Sequence, residues 1–316
     1  MEKKLSVIIP AYNEEAMIER TASTIATILS EANIDHELLF VDDGSKDSTW
    51  QKIESVSLNS TNIRGVHFSR NFGKESAIYA GLSYADGDCC VVIDCDLQHP
   101  PEKIVEMYRL WADEGYEVVE AVKASRGKES VFHKVSAKLF YSLISKVTKI
   151  DMEKASDFKL LDRKAVNVLL NIKETNAFFR ALSSWIGFKT TQIEFHVQER
   201  TEGESKWSTR SLIKYAIRNI TSFTTAPMQI VTFLGALMLL FAGVFGITAI
   251  VQKFMGTSVE GFTTVIVLQL FSSSLIMISL GIIGVYIAKI NEEVKARPKF
   301  IVSKTCGNDN KEGTQK

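Results

Sequence analysis

Gly87-Asp-Cys-Cys-Val-Val-Ile-Asp-Cys-Asp-Leu-Gln-His-Pro-Pro-Glu102 is the stretch on which the fold turns. Residues 89 to 93 are a continuous apolar run, the pattern of a strand covered on both faces. The run leads straight into Asp94-Cys95-Asp96. Two carboxylates two residues apart converge on one hard cation when the turn after a strand redirects the second. A divalent metal there bridges the phosphates of a nucleotide and takes up charge on a leaving diphosphate. The same spacing also occurs on solvated loops, so the neighbouring segments decide.

Working outward, residues 5 to 9 form a second apolar run, ended by Pro10. Residues 37 to 41 (Glu-Leu-Leu-Phe-Val) read as a third strand, ended by Asp42, Asp43 and Gly44, and residues 64 to 68 as a fourth. Between them Ile18, Ala22, Ile25, Ile28 and Leu29 recur at helical spacing, and a helix is expected from Lys74 to Ala85. Asn13, just ahead of Glu14 and Glu15, reads as an N-cap. Strands alternating with helices give an α/β class, with a mostly parallel sheet and helices on both faces. Ligands in such folds bind beyond the carboxyl ends of the strands. Pro10, Asp42, Asp43, Asp94 and Asp96 all stand there.

The 316 residues carry 37 Lys plus Arg and 37 Asp plus Glu. A net charge of zero argues against a nucleic-acid partner, which demands a basic excess. Hydrophobic residues at 46% exclude a disordered chain. Cys89, Cys90, Cys95 and Cys306 have neither zinc-site nor disulfide spacing and are expected to be inert, reduced thiols. Met-Glu-Lys-Lys leads directly into the first strand, without the apolar region of a signal peptide. The catalytic part is therefore expected in the cytosol.

The last third differs. Met228 to Val251 is 24 residues without a charge, and Phe262 to Ala288 is 27 more. Each exceeds the ~20 apolar residues that cross a bilayer core. Basic residues crowd both outer flanks: Lys206, Arg210, Lys214 and Arg218 before, Lys289, Lys295, Arg297, Lys299 and Lys304 after. The positive-inside rule makes this a hairpin of two spans with both flanks cytosolic. Residues 131–150 and 207–226 are amphipathic with a basic face, as interfacial helices are, although an ordinary surface helix has the same pattern. The tail after Val302 is polar and is expected to be disordered. The expected organisation is a cytosolic domain over 1–206, an interfacial helix over 207–226, spans at 228–251 and 265–288 within 227–290, and a polar cytosolic tail over 291–316.

Four motifs stand together: Ser6-Val-Ile-Ile-Pro-Ala-Tyr-Asn-Glu-Glu15, Val41-Asp-Asp-Gly-Ser-Lys-Asp-Ser48, Arg70-Asn-Phe-Gly-Lys-Glu-Ser-Ala77 and the Asp94-Cys95-Asp96 segment. In combination they resemble the family 2 glycosyltransferases of GT-A fold, a Rossmann-like architecture. The likeness is greatest to the polyisoprenyl-phosphate glycosyltransferases and covers residues 5 to about 300. The resemblance implies that Pro10, Tyr12 and Glu14 surround the nucleotide, and that Asp42 and Asp43 accept from uracil and ribose. It implies that Arg70 and Lys74 flank the donor phosphates. Asp94, Asp96 and Gln98 then bind Mg²⁺ or Mn²⁺, with Asp94 also part of the donor site. Asp157, in Ala155-Ser-Asp-Phe-Lys-Leu-Leu-Asp-Arg163, faces the acceptor. Arg200, Ser205 and Lys206 meet phosphate on the acceptor lipid, and Asp157, Asp96, Arg200 and Lys206 carry catalysis. His99 reads as a packing residue.

The implied reaction is inverting transfer of one hexose, glucose before other sugars, from a UDP-sugar to undecaprenyl phosphate at the cytosolic membrane face. Its product implies a flippase and an extracytoplasmic transferase downstream. Three rival readings are weaker. A processive polysaccharide synthase carries Q-x-x-R-W, and no Gln here is followed by that pattern. A non-catalytic membrane scaffold would have lost the strand-end acids. A soluble acceptor needs no anchor. Gly281, Gly284 and Ala288 permit close helix packing in a homo-oligomer.

Overall fold

The first strand, β1 (Leu5–Ala11), shows why the sheet forms. Its side chains alternate: Leu5, Val7 and Ile9 join one apolar core, and Ile8 joins another on the opposite face. Helices α1 (Ile18–Glu31), α2 (Thr49–Leu58) and α4 (Lys103–Glu114) bury Ile18, Ile25, Leu29, Trp50, Ile53, Ile104 and Met107 in the first core. Helices α3 (Lys74–Tyr84), α5 (Arg163–Asn171) and α6 (Phe179–Trp185) bury Ala77, Ile78, Leu82, Val166, Leu169 and Phe179 in the second. Helices on both faces leave the central strands little wet surface, so their sequences are mostly apolar, and Ser6, Glu37 and Arg64 within them are buried and bonded through Glu37.

The computed structural model describes residues 3–123, 156–174, 178–195, 226–256 and 261–307. The chain divides into two compact units, Met1–Lys206 with Pro298–Lys316, and Trp207–Arg297. The first unit holds an eight-stranded sheet in the order β7-β5-β6-β4-β1-β2-β3-β8. β1 pairs in parallel with β2 (His36–Asp42) and β4 (Cys89–Val92), and β2 with β3 (Ile63–Phe68). These are the four strands expected from the sequence. Outside them the sheet is mixed. β6 (Lys159–Asp162) is antiparallel to both β4 and β5 (Val118–Lys123), and β7 (Thr190–Phe195) is parallel to β5. This is a GT-A-like mixed sheet covered by helices.

One expectation is corrected here. The polar tail does not trail free from Val302: Val302–Cys306 is β8, antiparallel to β3 at the sheet edge. An edge strand needs only backbone groups from its partner and tolerates polar side chains facing water. Hydropathy therefore gave no sign of it. None of the four cysteines forms a disulfide, and Cys89, Cys90 and Cys95 are buried.

The second unit holds α7 (Ala226–Phe254) and α8 (Phe262–Val294). At 29 and 33 residues they run about 43 and 50 Å. Both are long and apolar enough to cross a membrane. Large apolar side chains are exposed along them, Phe233, Leu239, Ile247 and Ile276 among many. Apolar surface on this scale calls for a non-aqueous neighbour. The amphipathic stretches 131–150 and 207–226 lie outside the described residues.

Candidate active site

The carboxyl ends of β1, β2 and β4 open onto a cavity of about 300 Å³. Pro10, near the end of β1, and Tyr12 and Glu14 from the loop after it line the cavity. That loop is tied to the one after β2. Asn13 N donates to Ser45 Oγ (2.9 Å), Lys46 N to Asn13 Oδ1 (2.9 Å), and Glu14 N to Thr49 Oγ1 (2.9 Å). The N-cap reading of Asn13 is thereby corrected. Its φ of 54° is left-handed, a conformation Asn tolerates better than most residues, and the helix begins only at Ile18. Its amide oxygen stitches two loops instead of capping a helix.

The two acids after β2 part company. Asp42 has no exposed surface; it accepts from Ser45 N (2.9 Å) and pairs with His67 Nδ1 (2.7 Å). It shapes the turn and lies outside the cavity lining. Asp43 lines the cavity and accepts from Phe72 N (2.6 Å) and Gly73 N (2.9 Å), just ahead of α3. Burial, reinforced by Asp42, pushes the Asp43 carboxyl up to about 6 against the pull of those two N–H groups. Gly44, at φ +66°, permits this approach: a Cβ there would meet the Arg70 carbonyl carbon at 2.4 Å. Gly73, at φ +98°, turns the chain into α3. The loop after β3 brings Asn71 and Gly73 to the cavity, with Lys74 at the start of α3. Arg70 stays outside the lining, with its guanidinium 4.6 Å above the Phe72 ring.

Asp94 and Asp96 both line the cavity. Cys95 between them is buried, and its carbonyl accepts from Thr21 Oγ1 (2.7 Å). Leu97 then takes φ 53°, which a leucine seldom adopts, so the turn is strained. The strain lets Gln98 N donate to Asp96 Oδ1 (3.1 Å). Gln98 itself is not part of the lining. His99 stacks on Phe158 at 5.2 Å, meets Phe195 edge-on at 5.3 Å, and has Nδ1 4.0 Å from Asp94 Oδ2. It is a packing residue that also leans on the acidic pair.

A chain of alternating charge crosses the site. Lys74 Nζ lies 2.6 Å from Asp94 Oδ1 and 3.0 Å from Asp157 Oδ2. Arg180 closes on Asp157 from the other side, with Nε at 3.1 Å from Oδ1 and Nη2 at 3.0 Å from Oδ2. Burial disfavours the Asp157 carboxylate, but Lys74 and Arg180 overcome it and hold its pKa far below the usual range. Burial likewise opposes the Asp94 carboxylate and the Lys74 ammonium, and in each the partner's charge wins, so both stay ionised. Glu75 is the exception. Burial first, then repulsion from Asp157, raises its carboxyl despite a hydrogen bond from Phe179 N (2.8 Å).

Arg180 carries none of the sequence signals considered above, yet the fold aims it. Its carbonyl accepts from Lys159 Nζ (3.2 Å), which is wholly buried and also bonded to Glu120 (2.6 Å), Ser183 (2.9 Å) and Ser184 (3.1 Å). The structure therefore gathers Pro10, Tyr12, Glu14, Asp43, Lys74, Asp94 and Asp96 around one cavity, with Asp157 reached through Lys74. It leaves Asp42, Arg70 and Gln98 beside it. Arg200, Ser205 and Lys206 lie outside the described residues.

Comparison with known proteins fits this arrangement. The model of the family described as "Glycosyl transferase family 2" matches residues 6–170. An uncharacterized glycosyltransferase of Bacillus subtilis, YkcC, is 40% identical over 97% of this chain and 95% of its own. The bactoprenol glucosyl transferase of Shigella phage SfII is 33% identical over 96% of this chain and 98% of its own. Among solved structures, glucosyl-3-phosphoglycerate synthase of Mycobacterium tuberculosis aligns with a TM-score of 0.47 and 21% identity, over 69% of this chain and 77% of that one. With a family model over more than half its length and such relatives along nearly all of it, the chain belongs to glycosyl transferase family 2.

Proposed function

We propose that the protein transfers one hexose, with glucose the leading sugar, from a UDP-sugar to a polyprenyl phosphate at the cytosolic face of the membrane. The observation that carries this reading is the meeting of Asp94, Asp96 and Lys74 at the strand ends in one cavity. The relatives named bactoprenol glucosyl transferase support the acceptor class and the sugar. The two membrane-length helices support a lipid acceptor, and their basic outer flanks support a hairpin with both termini cytosolic.

Tyr12, 41% exposed at the cavity wall, offers a ring face to uracil, with Pro10 and Glu14 beside it. Lys74 stands where a donor diphosphate would lie, with Arg70 at the edge. The transfer forms a bond from an acceptor phosphate oxygen to the anomeric carbon. The bond from that carbon to the diphosphate breaks, and UDP leaves with its electron pair. Attack opposite the leaving group turns a UDP-α-sugar into a β-linked lipid phosphate sugar. A lipid monophosphate is already anionic near neutrality, its second pKa being ~6, so no strong base is required. Asp157 suits that: held ionised between two cations, it orients and does not abstract. Arg200, Ser205 and Lys206 are proposed to receive the acceptor phosphate.

Asp94, Asp96 and Gln98 offer only oxygen-type ligands, the set a hard divalent cation takes. The fit has support in the fold, because Asp94 already draws a cation, the Lys74 ammonium, to 2.6 Å. Among the described residues no group of three His, Cys, Asp or Glu converges. Phosphate oxygens and water would complete the shell of Mg²⁺ or Mn²⁺. When bound, the metal supplies positive charge beside the diphosphate.

The test is sugar transfer in isolated membranes with a panel of radiolabelled UDP-sugars, undecaprenyl phosphate and Mg²⁺ or Mn²⁺. Organic-phase label from one donor, abolished by EDTA, is the expected result. No label from any donor, beside an active control enzyme, would overturn the reading.

A further inference from the structure

The segment that follows α8 returns to the site. α8 ends at Val294, and Pro298 already belongs to the unit that holds the cavity. Three residues in succession then pack around the 69–74 loop, and the last of them bonds its backbone. Lys299 Nζ donates to Ile172 O (3.1 Å) and lies 4.4 Å above the Tyr79 ring of α3, the helix that begins with Lys74. Phe300 stacks on Phe68, centroids 5.2 Å apart and planes 8° apart. Ile301 O accepts from Ser69 N (3.0 Å). Phe68 is wholly buried and meets Phe72 edge-on at 5.7 Å. Phe72 N and Gly73 N are the groups that Asp43 holds.

Residues 69–73 are thus clamped from two sides. Asp43 fixes the inner backbone, and the Phe300–Phe68–Phe72 stack with the Ser69–Ile301 bond fixes the outer one. Among the described residues the loop has no ladder partner beyond Ser69, because the β3–β8 pairing ends at Phe68 opposite Val302. A loop that must present Asn71 and Lys74 to a phosphate needs such restraint, since a loop left loose must be ordered when the donor binds and weakens binding by that entropy.

We propose that Lys299, Phe300 and Ile301 are positioning residues for the 69–74 loop, so that the stretch just after the second membrane-length helix is a working part of the donor site. The proposal rests on the reading of that loop as the donor-phosphate segment. It ties donor binding to the same piece of chain that leaves α8.

The experiment uses the full chain in detergent micelles: wild type, Phe300→Ala, Phe300→Leu and Phe300→Tyr. Amide hydrogen exchange is followed in peptides spanning 68–77, with β1 and β2 as internal references. In Phe300→Ala the 69–73 amides should exchange at least about tenfold faster while β1 and β2 hold. The KM for UDP-sugar should rise about five- to tenfold with kcat within about twofold. Phe300→Tyr should restore both, and Phe300→Leu, which keeps apolar bulk should the alanine variant not fold, should fall between. Unchanged exchange at 69–73 would overturn the proposal. So would equal loosening of β1 and β2, or faster loop exchange with an unchanged donor KM. If wild type transfers no sugar from any UDP donor, the functional reading fails, and the exchange data still decide whether the clamp exists.

Discussion

Two clusters of charge sit at opposite ends of the same parallel strands, built from the same side-chain types. At the amino ends, Glu37 accepts from Ser6 Oγ (2.5 Å), Asp86 N (2.7 Å) and Arg64 Nη1 (3.0 Å), with Lys4 at 3.3 Å. Glu37 and Arg64 are 3% and 7% exposed. At the carboxyl ends, Asp94 and Lys74 are 30% and 42% exposed along a cavity wall. The first cluster spends its acceptors inside the protein and leaves nothing for a ligand. The second holds its charges against one another only until something better charged enters. Burial of a carboxylate is therefore not the mark of function in this chain; the facing cavity is.

The sharpest way to break that contrast is a pair of substitutions. Asp96→Ala should cut transfer about 10³-fold, because it removes an acid from the cavity wall where the donor diphosphate is proposed to bind. Its melting temperature should stay within about 3 °C of wild type. Arg64→Met should do the reverse, leaving Glu37 with Lys4 at 3.3 Å as its cation and costing about 1–3 kcal/mol of stability. Its turnover per folded molecule should remain within about twofold of wild type. Thermal melts and specific activities on the same preparations decide it, and an exchange of the two phenotypes would refute the division.

Lys74→Met probes the second cluster from within and should have a smaller effect. Transfer should fall about 10²-fold, since one cation near the leaving diphosphate is lost. Mn²⁺ binding without nucleotide, followed by electron paramagnetic resonance, should tighten about tenfold, because a competing positive charge 2.6 Å from Asp94 has gone. Weaker or unchanged Mn²⁺ binding would show that the metal does not sit at Asp94.

The same contrast explains what could be read in the sequence. Central strands covered on both faces announce themselves as apolar runs, and acids at their ends follow by adjacency. β1 to β4 and the Asp94–Asp96 turn were legible for that reason. Residues whose meaning depends on distant partners were not. Lys159 stands among Phe158, Leu160 and Leu161 with no local partner for its charge, yet it is wholly buried against Glu120, 39 positions away. Arg180 belongs to none of the motifs that pointed to the site, and only the fold brings it to Asp157. β8 pairs with β3 through backbone groups alone, and hydropathy does not register backbone. Asn13 misled because the amide oxygen that can cap a helix here accepts from Lys46 N of another loop, 33 positions away.

The smallest expected effect distinguishes the two ends by pH. Burial is the largest influence on Glu37, and it raises the carboxyl. Ser6, Asp86 N, Lys4 and Arg64 together outweigh it, so the pKa ends below its ordinary 4.5. That stabilisation is present above the ordinary value and is lost as pH falls. Asp43 goes the other way, from an ordinary 3.8 up to about 6. The folded chain holds that proton more tightly than the unfolded chain does. Its contribution is therefore complete below about pH 4 and disappears as pH rises through about 6, a change of about 3 kcal/mol at most. Asp43→Asn removes the titration and Glu37→Gln removes the other. Between pH 4 and 7 the stability of wild type relative to Asp43→Asn should fall with pH in denaturant titrations. Relative to Glu37→Gln it should rise as pH climbs from about 3 to 5. Slopes of the same sign would mean that the N–H groups of Phe72 and Gly73 outweigh burial at Asp43. The carboxylate beside the cavity would then be as thoroughly satisfied as the one at the far end of the strands, and only its exposure to the cavity would set it apart.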